Sequence, residues 1–334
     1  MTLKESKAFL LVTFDSFALF LKFYKFLYYN LSMMGKFSNS WRLLKHSMHI
    51  IGENKKLLVF PLLTTIAVIS VSVVFLSPII DHIGFRDTWL TAALFEKINH
   101  PNNTTEYVLN ALGISYLVLA YLSVNFVRVF FNTVFYHEIL NALEGKRVAI
   151  KNGLIFSLAK IKVIALWSLL SGLVALVIHI LSNRPGPIKK FVIRLIGVAW
   201  EVASIFTIPV IASQNDIVNP VQVLKKSANT LKQTWGETLI GFTGIKLFGF
   251  VMFISFFVIF MPLSILTGHI HDPSPASGSL TYGIWFTLLI FALLIIKTAN
   301  DIYRCALYVF AKDKRAPNIY TEEMLNSTLK FKKD

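Results

Sequence analysis

Residues 57–80 read LLVFPLLTTIAVISVSVVFLSPII, a stretch without one charged side chain. A helix needs about 20 apolar residues to cross the hydrocarbon core of a bilayer, and this run exceeds that length. Read outward from it, the chain supplies five more runs of the same kind. The six are Leu57–Ile80, Tyr107–Phe135, Val163–Leu181, Phe191–Ser213, Leu239–Thr267 and Leu280–Phe310. The second, fifth and sixth are long enough to tilt or to extend beyond the bilayer. Pro61, Pro209 and Pro262 fall inside these runs. Neighbouring helices can satisfy the carbonyls that a proline frees.

Composition agrees. Of 334 residues 55% are hydrophobic and only 15% are charged, with a mean hydropathy of +0.62. A soluble domain carries roughly 25% charged residues. The 18 Asp and Glu residues cannot coat a soluble protein of this length. The expected fold is all-α: a bundle of six spans with three amphipathic helices on the inner face.

A net charge of +15 would suit a nucleic-acid binder if it formed a patch. Here the Lys and Arg residues lie between the apolar runs. Segments 34–56, 137–162, 214–237 and 304–334 hold 5, 5, 3 and 7 of them. The alternate segments 81–106, 182–190 and 268–279 hold 2, 3 and 0. Basic loops stay cytoplasmic, so both termini are expected inside, and nucleic acid is not an expected partner. Anionic membrane lipid is the expected one.

Three units of organisation follow. Residues 1–33 are an extension, 34–311 the six-span domain, and 312–334 a basic tail. In the extension, Phe9–Leu21 is apolar but short, is interrupted by Asp15, and runs into Lys22 and Lys25. An interfacial helix, a seventh span, and a protein that begins at Met33 or Met34 all fit this pattern.

Each inner segment also reads as an amphipathic helix leading into a span. In Asn219–Gly236, Asn219 suits the N-cap, Pro220 the first helical position and Gly236 the stop. Val221, Leu224, Ala228, Leu231 and Trp235 recur at helical spacing. A shift of 180 residues brings Trp41, Leu44, Met48 and Ile51 onto similar positions, with Lys45 and Ser47 matching Lys225 and Ser227. Leu154, Ser157, Leu158 and Ile161 form a weaker third copy. The repeating unit is an inner helix, a span, an outer loop and a returning span.

Several stretches carry a resemblance: SWRLLK at 40–45, LLVFPLL at 57–63, VFFNT at 129–133, AWEV at 199–202 and KQTWGE at 232–237. They resemble an uncharacterised bacterial family of polytopic membrane proteins, over roughly residues 36–300. More loosely, the arrangement is similar to the membrane domain of some glycerophosphodiester phosphodiesterases, without a catalytic domain. The resemblance implies a bacterial inner membrane and a helical bundle, and it implies no activity.

Polar and ionisable side chains inside a membrane are costly and mark candidate sites. Asn125 and Arg128 in the second run, Glu201 in the fourth, Lys246 in the fifth, and Lys297 and Asp301 in the sixth form that set. Glu201 paired with Arg128 or Lys297 would hold helices in register. A cavity with Arg128 and Lys297 on an anion, tuned by Glu201, would bind or move a ligand. The residues point to no enzyme, cofactor or metal. His137-Glu138 lacks the second histidine of the zinc-protease helix, and His269, His271 and Asp272 share only a short loop. Two functions stand open: a binding or transport-like protein for an anionic or lipid ligand, or an organiser that binds lipid or a partner through its basic helices.

Overall fold

In the computed structural model the described residues are 45–83, 89–99, 105–182, 187–214, 218–233, 254 and 275–313. The fifth run apart from Ile254, Lys246, residues 1–44 and the tail beyond 313 lie outside them. Residues 45–53 form α1, and a 3-10 turn, Lys55–Leu58, leads into α2, Val59–Ile83. There follow α3 (Trp89–Leu94), a hairpin of β1 (Phe95–Asn99) with β2 (Thr105–Leu109), and α4 (Ala111–Leu143). Next come α5 (Ile150–Ala159), α6 (Ile161–Ser182), α7 (Pro187–Ala203), α8 (Thr207–Ser213), α9 (Pro220–Gln233) and α10 (Pro275–Asp313). Five segments among the described residues are long and apolar enough to cross a membrane.

The prolines act in different ways. Pro61 lies in the first turn of α2, where no backbone N–H needs a helical partner, so it does not break the span as a mid-helix proline would. Pro78 lies inside α2 and deprives the Val74 carbonyl of its usual donor. The Ser77 hydroxyl donates to that carbonyl at 2.9 Å. The fourth run is broken into α7 and α8 by a turn over Ser204–Phe206, one helical turn before Pro209.

The second run begins later than its apolarity suggests. Tyr107 is in β2, and the helix starts at Ala111 behind the cap Asn110. The Asn110 side chain accepts from the Gly113 N–H at 2.9 Å and donates to the Ala93 carbonyl at 2.8 Å. A Cβ on Gly113 would collide with the Leu94 carbonyl, so glycine permits this close seat. The other end of α4 stops at Gly145, with φ of 74°. There the N–H of Lys146 donates to the Asn141 carbonyl and that of Gly145 to the Ala142 carbonyl. This Schellman turn sends the chain straight back into α5.

Burial divides the spans by level. In α4, the α7–α8 pair and α10 the buried residues gather at the C-terminal ends: Thr133–Tyr136, Val210–Ala212 and Cys305–Tyr308 are examples. In α2 and α6 they gather at the N-terminal ends, with Phe60, Thr64, Val163, Ile164 and Trp167. Helices α2 and α6 therefore run away from one packed end, and α4, α8 and α10 run towards it. The same end holds α1, α5 and α9. At the open end Ile69, Val74, Ile80, Leu112, Ile180 and Phe286 stand exposed. A soluble protein does not leave such surfaces in water. This is the architecture of a membrane protein.

The short helices at the packed end bury a narrow face. In α9 that face is Val223, Ser227 and Leu231, with Leu224 at its edge, and Val221 is exposed. The stripe expected from spacing alone is thus rotated by part of a turn. Likewise Met48, Leu158 and Ile161 are exposed, whereas Ser47, Ser157 and Ser227 are each fully buried.

Candidate functional site

Polar groups at the packed end are knitted across helices, because a buried donor or acceptor without a partner is costly. Glu138 of α4 is fully buried. Its Oε2 accepts from the Ala149 N–H at 2.7 Å, just before the first residue of α5, and its Oε1 accepts from Asn141 at 3.3 Å. A carboxylate there complements the positive end of the α5 dipole. The turn at Gly145 brings Ala149 back to Glu138, and Gly153 lets α5 lie close. A Cβ on Gly153 would stand 2.9 Å from Val134 Cγ1 and 3.0 Å from Glu138 Cγ.

Beside this, the His137 ring stacks on Phe156 at 3.8 Å between centroids, with Nδ1 3.4 Å from the Ala212 carbonyl oxygen. Gln214, at the end of α8, joins four elements. Lys160 Nζ donates to its backbone oxygen at 3.1 Å, and Lys226 Nζ donates to its Oε1 at 2.6 Å. Its own Nε2 donates to Tyr308 Oη at 3.2 Å, and that hydroxyl lies 2.7 Å from Ser213 Oγ. Lys160 caps the end of α5 and Lys226 lies in α9, so two cations converge on one residue from separate parts of the chain.

Ser227 closes the break in the fourth span. Its hydroxyl accepts from the Phe206 N–H at 3.0 Å and donates to the Ala203 carbonyl at 2.6 Å. A break inside a span is tolerated only where protein satisfies the freed groups. Adjacent residues of α9 therefore hold both ends of α8: Ser227 at its start and Lys226 at its finish.

A second buried group links α4 to α10. Tyr136 Oη donates to Asp301 Oδ1 at 2.7 Å, with both residues buried. The Arg304 guanidinium, one turn along α10, lies within electrostatic reach of both. Higher in the bundle, Asn125 Nδ2 donates to the Ser168 carbonyl at 2.7 Å and to Ser171 Oγ at 3.2 Å. That contact joins α4 to α6 beside Gly172.

The structure thus seats Asn125 and Asp301 in interhelical contacts and leaves Arg128, Glu201 and Lys297 exposed on separate helices. Among the described residues, an ion pair joins Lys146 to Glu144, His49 Nδ1 lies 3.6 Å from Glu53 Oε1, and no ion pair joins Glu201 to Arg128 or Lys297. Lys246 and the His269–Asp272 loop lie outside the described residues. Sequence reading passed over Glu138, which drew notice only as an incomplete zinc motif. The signal available for it was the pair Gly145 and Gly153, which allow a tight return onto α4. Gln214 and Ser227 gave no local signal, since their partners are distant in sequence.

No curated protein and no solved structure matches the chain, so the likeness to membrane domains of glycerophosphodiester phosphodiesterases finds no support there. A family match covers residues 111–318, from the first residue of α4 to just past α10, and this is more than half of the chain. The chain belongs to the family described as a family of unknown function (DUF6159).

Proposed function

We propose that this is a non-enzymatic, membrane-embedded binding protein for anionic lipid or a related anionic ligand, seated at the packed end of the bundle. The observation that carries the reading is the convergence of Lys160 and Lys226 on Gln214. Two ammonium groups, one at the α5 cap and one on α9, at the level where the spans leave the membrane, suit a phosphate head group. The most basic segments of the sequence contribute this same end, which favours a cytoplasmic packed end and cytoplasmic termini in a bacterial inner membrane.

Six spans with a three-fold repeat complete the proposal, α1, α5 and α9 being its amphipathic members. The burial of Ser47, Ser157 and Ser227, one on each short helix, supports the repeat. So does a threonine in each returning span: Thr133, Thr207 and Thr298 are buried, and each donates to a carbonyl three or four residues earlier.

The test is lipid-dependent stability in a neutral detergent. Phosphatidylglycerol should raise Tm well above the effect of phosphatidylcholine, and a Lys160→Gln, Lys226→Gln variant should lose most of that difference. Equal stabilisation by the two lipids, or an unchanged response in the variant, would contradict the assignment. A transport-like role rests on one further observation, the buried Tyr136–Asp301–Arg304 group, since such groups line ion and substrate paths in membranes. Asp301→Asn should then change ligand flux in vesicles while lipid stabilisation persists. Unaltered flux would leave an organising role that needs no movement of ligand.

A further inference from the structure

Helices α7 and α10 each carry an exposed stripe that ends on a charge. On α7 the stripe is Phe191, Arg194, Val198 and Glu201, spaced by three, four and three residues. On α10 it is Phe286, Ile290, Leu293 and Lys297, spaced by four, three and four. Residues at these spacings share a helix face. All eight are exposed. The α10 stripe is apolar up to Lys297, the α7 stripe carries Arg194 between Phe191 and Val198, and the two stripes end on opposite charges.

The two charges also share a depth. The Ser213–Tyr308 hydrogen bond joins α8 to α10 at the packed end, towards which both spans run. Counted from the other end, Glu201 lies 10 residues into the span Phe191–Ser213 along unbroken α7, and Lys297 lies 11 residues into Phe286–Asp313, about 15 and 17 Å at helical rise. Both therefore lie well inside spans, where an ionised group facing lipid is disfavoured. Within the chain they remain apart, because α7 packs on α6 and α9 and neither charge is in an ion pair among the described residues.

We propose that the α7 stripe of one copy of this chain packs on the α10 stripe of a second copy, with Glu201 of one paired to Lys297 of the other. Two copies inserted in the same orientation keep α7 and α10 parallel and hold both residues at one depth. Phe191 and Val198 then face Phe286, Ile290 and Leu293 across the contact. Charge complementarity and matched depth select the occupant: a lipid tail supplies no charge, and a copy supplies both. Arg128 is exposed on a different helix, α4, outside both stripes.

The test uses the full chain in native membranes, with the buried Cys305 changed to Ala. Chains carrying Glu201→Cys with one tag are co-expressed with chains carrying Lys297→Cys and another tag, then oxidised. A disulfide-linked species holding both tags is expected, dependent on both cysteines. Its absence, or linkage only between chains that carry the same tag, overturns the proposal. Association in detergent gives a second measure. Glu201→Lys and Lys297→Glu should each lower the associated fraction at least tenfold, and the double exchange should restore it. Single exchanges without effect, or a double exchange that restores nothing, also overturn it.

Discussion

The two ends of α4 face opposite surroundings. Towards Leu143 nearly every position from Thr133 onward is buried, including Glu138. Towards Ala111 the apolar side chains of Leu112, Ile114 and Leu119 stand exposed. The same contrast runs along α2, α6, the α7–α8 pair and α10, so it belongs to the level in the bundle. Its cause is the change of solvent. Deep in a bilayer the lipid tails are as apolar as leucine, and packing helix on helix gains little from hydrophobic burial. Near water, burial is favourable again and every polar group needs a partner. The bundle is knit where solvent demands it and open where lipid can cover it.

Substitutions can break this comparison, and the largest effect is expected in the packed core. Ile139 is fully buried, and Ile139→Ala should lower stability by about 2–5 kcal/mol. Thermal unfolding in detergent measures it, and a change near zero would mean that the packed end is not a core. Next is Ser227→Ala, which leaves the Phe206 N–H and the Ala203 carbonyl unpaired at the span break. Each group left unsatisfied costs about 1–3 kcal/mol. Ser227→Thr, which keeps a hydroxyl, should retain more of the stability than the alanine does.

Tyr136→Phe sharpens the comparison on the electrostatic side. It removes one hydrogen bond to a buried carboxylate, for an expected loss of about 1.5–3 kcal/mol. The loss should shrink when Asp301 is already Asn, and a double-mutant cycle reads that coupling. The smallest effect belongs to the open end. Ile69 is 55% exposed, and Ile69→Ala should stay within about 0.5 kcal/mol in a lipid-like detergent. A large loss there would show that protein, rather than lipid, covers this surface.

Much of this fold is legible in the sequence for a plain reason. Span location depends on local apolarity, and the runs at 57–80, 163–181 and 191–213 coincide closely with helices of the structure. What escapes the sequence depends on contacts made at a distance. Pro209 announces a disturbance, yet the break at Ser204–Phe206 persists through a hydroxyl 21 residues away from Phe206. The β1–β2 hairpin was absorbed into a loop and a span because Tyr107–Leu109 are as apolar as the helix they precede. The polar set divides in the same way. Asn125 and Asp301 find partners on neighbouring helices, whereas Arg128, Glu201 and Lys297 face outward. Residue type identifies a costly group in the membrane, but only the packing says which side of the helix must satisfy it.

The central claim, a membrane bundle packed at one end and lipid-covered at the other, is open to one direct measurement. Single spin labels would be placed in lipid vesicles at Ile69, Ile114 and Phe286, and at Ile139, Ile164 and Leu307. Collision with oxygen in the lipid and with a water-soluble nickel chelate would then be compared. The account predicts high oxygen and low nickel accessibility at the first three sites, and low accessibility to both at the last three. Nickel access at Ile69 and Phe286, or equal oxygen access at both ends, would contradict it.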